Sequence, residues 1–248
     1  MNILLIVAYD GTNYYGWQRQ SGFMTVQQRL EEALSELYKK EIVVRGSSRT
    51  DTGVHCMGQG ALYKAEQNIP VERLPYAVNA FLPNDIVVNK AYIVDDDFHP
   101  QYSVIDKTYE YKIQNADFRD PTLNNYTDFI HYRLDIENMQ KACRFFLGEH
   151  DFKAFCASGS DAKTTVRTIY DLSVKKEGRI ISIKVRGNGF LYNMVRIIAG
   201  TLVYVGLGKI APEEITDIIN SRDRARAGKT LIPNGLTLLE VNYEKIGR

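Results

Sequence analysis

The sequence predicts an α+β protein made of two tandem split-βαβ units, whose antiparallel sheets join side by side with helices on one face and a central cleft. Two observations carry this. Short β-branched or alternating runs exchange with apolar stripes at helical spacing in the order strand, helix, strand, strand, helix, strand. That order occurs twice along the 248 residues, a length sufficient for two modest domains that each bury a core. The predicted domains are 1–103 and 104–248. The repeat is one of architecture, with no apparent sequence identity between halves. Joining the sheets at their edges would protect those edges, and a cleft between two halves is a default place for a site.

In the first half, residues 2–9 form an apolar strand. Asp10 to Gly22 reads as a long loop with Tyr14, Tyr15, Trp17 and Arg19 exposed. Thr25 opens a helix, with Gln28 in capping-box position and Val26, Leu30, Ala33, Leu34 and Leu37 on one stripe. Ile42–Arg45 is expected as a strand, as is roughly Gly58–Ala65. Pro70 sits at a helix start, with Val71, Leu74, Val78 and Phe81 or Leu82 on its buried side. Ile86–Val94 is rich in β-branched residues and returns as a strand. Asp95–Asp97 reads as a solvated turn, and Phe98 to Ser103 as the crossing between halves.

In the second half, Thr108–Gln114 alternates as a strand, with Tyr109 and Tyr111 on one face. Asp135 caps a helix with Ile136, Met139, Cys143, Phe146 and Leu147 inward. Thr165–Lys175 and Arg179–Arg186 read as a hairpin turning at Lys176-Glu177-Gly178. A strongly apolar helix over Phe190 to Val205 follows, then a short helix opened by Pro212. Gly235–Tyr243 is the last strand. The two halves are therefore ferredoxin-like in element order.

Composition narrows the function. Apolar and charged fractions are those of an ordinary soluble chain. The net charge is +1, so a polyanion must be held by local patches, not by a global field. Sixteen tyrosines against one tryptophan favour half-polar faces suited to interfaces and base stacking, and equally to a half-buried sheet. Cys56, Cys143 and Cys156 lack metal spacing and leave one unpaired, which fits a reducing cytoplasm. The four histidines are scattered, so no metal is expected. No phosphate-loop or dinucleotide fingerprint is present, so no cofactor is expected either. The apolar start is read as a strand and not as a signal peptide or membrane span.

The segment Arg45-Gly46-Ser47-Ser48-Arg49-Thr50-Asp51-Thr52-Gly53-Val54-His55 places one carboxylate, two arginines and a histidine in a turning loop between strands. By composition Asp51 is as well explained as a turn cap. The other oddity is Arg196 inside the greasy helix. A buried guanidinium costs several kcal/mol unless paired, so Arg196 either extends its head to water or meets a carboxylate from the other half. Asp51 is the candidate, and such a pair would hold it ionised and oriented. Positive side chains recur in separate loops, among them Arg19, Lys107, Lys163, Arg167, Arg186 and Arg224. The run 222–229 is the densest, a spacing able to track a phosphate backbone.

Six motifs in register resemble the bacterial TruA family of tRNA pseudouridine synthases over essentially the whole chain. They are Tyr9-Asp10-Gly11-Thr12 with Gly16-Trp17-Gln18; Ser48 to His55; Lys107-Thr108-Tyr109-Glu110-Tyr111; His150-Asp151-Phe152 with Phe155; Thr165-Val166-Arg167; and Gly189 to Arg196. The resemblance implies the pseudouridine synthase fold and conversion of uridine to pseudouridine at tRNA positions 38, 39 and/or 40. It also implies a homodimer acting on the anticodon arm without metal or organic cofactor, in the cytoplasm, with no role for membrane or DNA. By the same resemblance Asp51 is the catalytic aspartate, Tyr109 stacks on the target base, and Arg196 pairs with the aspartate. Arg49 would help extrude the base, with His55, Arg19, Lys163, Arg167 and Arg224 among the substrate contacts.

The chemistry suits these types. A uridine must leave its stack before its glycosidic bond is reached. Asp51 could attack C1′, attack the ring, or act as base at C2′. A lone carboxylate argues against the paired arrangement of hydrolytic glycosidases. Departures from the family pattern at Thr52, Cys56, 100–104 and 231–232 bear on rate or substrate choice. The competing class is a non-catalytic protein that binds structured RNA on paired split-βαβ sheets, and a third is a nucleoside hydrolase releasing free uracil. A product assay separates all three.

Overall fold

The computed structural model describes residues 1–66, 69–160, 162–244 and 246. It contains two compact units, Met1–Ile105 with the segment from Thr237 onward, and Asp106–Leu236. The expected division at 103/104 assigned the whole C-terminal stretch to the second half. The last strand instead groups with the first unit, a long-range association that element order does not encode.

In the first unit, β1 (Asn2–Tyr9) lies between β3 (His55–Lys64) and β4 (Ile86–Val94), antiparallel to both. Ile3, Leu4, Leu5 and Val7 are fully buried, each worth about 1.5–3 kcal/mol of transfer free energy. The free edge of β3 is divided. Its far end pairs with the two-residue β2 (Arg45–Gly46), and its start pairs in parallel with β10 (Leu236–Tyr243).

Helix α1 (Val26–Tyr38) begins as expected, with Thr25 Oγ1 accepting from Gln28 N. The Gln28 amide turns to Glu32 Oε1 at 2.9 Å, so only half of the capping box forms. The strand expected over Ile42–Arg45 shrinks to β2 because α1 takes its backbone groups. Ser35 Oγ accepts from Ile42 N, Glu31 Oε1 accepts from Val44 N, and Gln27 Nε2 donates to Val44 O. Helix α2 (Leu74–Asn79) buries Leu74 and Val78 but ends before Phe81, which is exposed. Asn79 fastens that end by bonding both N and O of Val88. Asp95–Asp97 is an exposed turn.

In the second unit, β5 (Val104–Asn115) pairs antiparallel with β9 (Ile180–Gly187), β9 with β8 (Val166–Glu177), and β8 with β7 (Gly148–Asp151). A short β6 (Asp128–Ile130) runs parallel to the end of β5. Glu177 pairs with Ile180, so the hairpin turns at Gly178-Arg179, slightly beyond its expected place. Helix α3 (Ile136–Cys143) is capped by Asp135, and a 3₁₀ turn then leaves Leu147 exposed, against expectation. Helix α4 (Met194–Gly206) starts four residues later than predicted because Asn193 takes a left-handed conformation at φ 60°. Helix α5 (Glu214–Ser221) starts after Pro212 with Glu213 as its cap residue, so the proline lies just outside. Among the described residues no helix is long and apolar enough to cross a membrane, and no group of three or more His, Cys, Asp or Glu side chains is placed to hold a metal.

Candidate active site

The loop carrying Asp51 is built from the backbone outward. Ser47 is fixed on β3 by Ser47 N donating to Gly60 O and Gly60 N donating to Ser47 Oγ. Buried Gln59 then clamps both serines, accepting from Ser47 Oγ at 3.0 Å and donating to Ser48 O at 2.6 Å. Farther on, Tyr9 OH meets Thr50 Oγ1 at 2.8 Å, Trp17 N donates to Thr50 O, and Gly53 N donates to Tyr14 O. Gly16 is required between the last two contacts. Its φ is +78°, and a Cβ there would lie 2.3 Å from Thr50 O. Asp51 itself is partly exposed. Its neighbours' backbones are therefore held at both sides while its side chain stays accessible, as pre-organised chemistry requires.

The opening loop differs from its sequence reading. Tyr14 and Trp17 were expected to be exposed and are instead only 5% and 1% accessible. Tyr14 OH donates to Asp85 Oδ1 at 2.6 Å. Burial, then that carboxylate, raise its pKa well above the usual phenol range. Their burial is what presses the opening loop onto residues 50–53. Within it Arg19 is exposed but committed, since its Nη1 lies 2.6 Å from Glu31 Oε2. Arg49 and Arg45 are exposed, and neither has an ion pair among the described residues.

His55, expected among substrate contacts, is only 5% accessible. Its Nδ1 lies 3.1 Å from both Gly11 N and Asp10 Oδ1, so it ties β3 to the opening loop. This buried imidazole helps to position that loop.

In the second unit, Tyr109 on β5 is nearly buried and meets Phe190 edge to face, with ring centroids 5.2 Å apart. Arg196 lies one turn into α4. Its Nε donates to Leu231 O at 2.7 Å and its Nη1 to Asn193 Oδ1 at 2.5 Å. The left-handed Asn193 that starts the helix thus also aims the guanidinium. Arg167 is half-buried and donates to Thr164 O and Val166 O. Arg224 donates to Gly228 O and Thr230 Oγ1, bracing its own loop. Lys163 is exposed with no bond or ion pair among the described residues.

Burial lowers the Lys107 ammonium to about 8 from 10.5, with the nearby Arg167 charge adding to it. Below pH 8 the folded chain carries a charge that burial penalises. Between about pH 8 and 10.5 the folded chain has released that proton and the unfolded chain still binds it, so this contribution to stability rises with pH. Lys107→Met should flatten that rise in urea midpoints measured from pH 7 to 10. A variant whose stability tracked the parent in parallel over this window would refute the assignment.

The tRNA pseudouridine synthase family matches residues 5–103 and 142–244. The chain belongs to that family. Its relatives include tRNA pseudouridine synthase A of Thermoanaerobacter sp. (strain X514), 51% identical over 98% of this chain and 99% of the relative. The Acetivibrio thermocellus protein of the same name is 49% identical with the same coverage. A Clostridium perfringens protein named tRNA pseudouridine synthase A 2 is 47% identical, again over 98% and 99%.

Within this synthase framework, Cys56 stands where the sequence departs from the usual alanine. It is wholly buried and burial pushes its thiol up to about 12, so it is an inert packing residue. The supporting residues that sequence reasoning missed are Gln59, Tyr14 and Asp85. Each is an ordinary polar side chain in an ordinary strand or loop. The only local signal was the lone Trp17 after Gly16, a bulky side chain beside a residue that permits close approach.

Proposed function

We propose that this chain isomerises uridine to pseudouridine at positions 38, 39 and/or 40 in the anticodon stem-loop of tRNA. What carries the reading is the near-complete, roughly half-identical alignment with proteins named tRNA pseudouridine synthase A. The reaction breaks the N1–C1′ bond, turns the uracil and joins C5 to C1′; a proton leaves C5 and one is gained at N1. Atoms are conserved, so no co-substrate is needed.

Asp51 is assigned the reacting carboxylate, as nucleophile or as base. Its loop is rigidly backed and its side chain accessible. Tyr109 is assigned the aromatic face that holds the freed uracil, supported by its fixed edge-to-face packing on Phe190. Arg196 is assigned the cation that keeps the reacting carboxylate ionised, supported by a guanidinium already oriented by Asn193 and Leu231. Arg49 is assigned to RNA, because it is exposed and uncommitted. Lys163 belongs with it on the same ground. Arg19, Arg167 and Arg224 are weaker substrate contacts, since each already has internal partners. We further place the protein in the cytoplasm as a homodimer. Three free thiols are in keeping with a reducing compartment.

The test is an unmodified tRNA transcript carrying U38, U39 or U40, incubated with the protein and mapped for pseudouridine by derivatisation and mass analysis. Site-specific product is expected. Tight binding without product on several such transcripts would leave a non-catalytic RNA-binding platform, and free uracil would indicate a hydrolase.

A further inference from the structure

Two large aromatic side chains in the opening loop are half exposed against each other. Tyr15 is 48% accessible and Phe23 is 46% accessible. Their ring centroids lie 4.5 Å apart at 45°. The two rings present neighbouring apolar faces to solvent.

The loop holding them is built, not loose. Tyr15 N donates to Met24 O, Gln20 Nε2 donates to Tyr15 O, and Gln20 bridges Phe23 in antiparallel fashion. The residues on either side of Tyr15 lie against the Asp51 loop. Tyr14 O accepts from Gly53 N, and Gly16 sits against Thr50 O. Tyr15 is therefore fixed within one residue of the contacts that position the candidate catalytic carboxylate, and Phe23 is packed on Tyr15. On the same unit, next in sequence to Thr50, Arg49 is exposed and uncommitted, a cation suited to a phosphate backbone.

We propose that Tyr15 and Phe23 form a stacking surface for an unpaired nucleobase of the RNA, next to the uridine being converted. This deepens the tRNA-modifying reading and rests on it. A base left without a neighbour by extrusion of the target presents a π-face, and aromatic side chains receive such faces with little regard to sequence. The two rings thereby keep the RNA engaged while the target is out of the stack.

The experiment uses the full chain, in an Asp51→Asn background so that binding is read without turnover. Anticodon-arm transcripts carry 2-aminopurine at each nucleotide flanking the target. The parent should quench the probe at one flanking position. Tyr15→Ala with Phe23→Ala should abolish that quench and weaken RNA binding between about 5-fold and 150-fold, the range of one base–aromatic stack. Phe23→Tyr should retain both signals. Phe23→Leu keeps an apolar contact for Tyr15 but removes the ring, and should lose the quench. The proposal is overturned if Phe23→Leu binds and quenches like the parent, because the pair is then only a hydrophobic clip for the loop. It is also overturned if the double variant binds within twofold of the parent. Failure of the chain with its native Asp51 to make pseudouridine in the transcript assay would defeat the functional reading while leaving a ring-dependent quench intact, so the two failures are distinguishable.

Discussion

Asp51→Asn should reduce pseudouridine formation by at least about 10³-fold in single turnover, within the range spanned by loss of a positioned proton-transfer group or nucleophile. Asparagine has nearly the same shape but no negative charge, and its amide is neither a base nor a competent nucleophile at neutral pH. The fold should be untouched. The loop is held by its backbone, from Trp17 N to Thr50 O and from Gly53 N to Tyr14 O, and an isosteric side-chain change leaves those bonds in place. Affinity for tRNA should be preserved or slightly improved, since one negative charge is removed beside a polyanion. Asp51→Glu keeps the charge but moves it by a methylene, enough misplacement to cost about 10²-fold. Rate and binding measured together on one transcript decide the matter. An Asn variant that turned over at the parent's rate would remove Asp51 from the mechanism.

Gly200→Ala should be far more damaging than its position in a helix suggests. In an open helix the change would stabilise by about 0.5–1 kcal/mol. Here the added Cβ would lie 1.9 Å from the backbone oxygen of Lys229, and Gly228 already packs against Gly200 C and O. A backbone carbonyl has no rotamer into which to retreat, so the loop must shift. The cost of such overpacking is about 3 kcal/mol, which outweighs the propensity gain. For a chain of this size that lowers Tm by roughly 6–12 °C. The displaced loop is also the one whose Leu231 O holds Arg196 Nε and whose Gly228 N bonds Thr201 Oγ1. Activity should therefore fall along with stability, and should stay low at temperatures where the variant remains folded. A Gly200→Ala protein with parental Tm and rate would show that the loop is free to move.

Several features were legible because they depend on neighbours in sequence. The caps at Thr25 and Asp135, the stripe on α1, strands β1 and β4, and the greasy run of α4 follow from side-chain periodicity and local hydrogen bonding. Asp51 stood out because a carboxylate among glycines and arginines in a short loop is chemically conspicuous. The errors have a common cause. Ile42–Arg45 has strand composition, yet side chains from α1 capture its backbone groups. Tyr14 and Trp17 lie in a glycine-rich stretch that reads as solvated, and their burial involves residues remote in sequence, Asp85 for Tyr14 and Thr50 for Trp17. That His55 is buried against Gly11 was likewise not legible, because the contact spans the opening loop and β3.

The sequence by itself thus determined the main strands and helices, the family, and the carboxylate to be tested. Periodicity, capping and short motifs are local properties of the chain. Only the tertiary structure decided which cations are committed, as Arg19 is to Glu31, and which remain open, as Arg49 does. Only it placed β10 with the first unit and brought Lys229 against Gly200. Those outcomes depend on long-range packing, where a side chain's environment is set by residues remote in sequence.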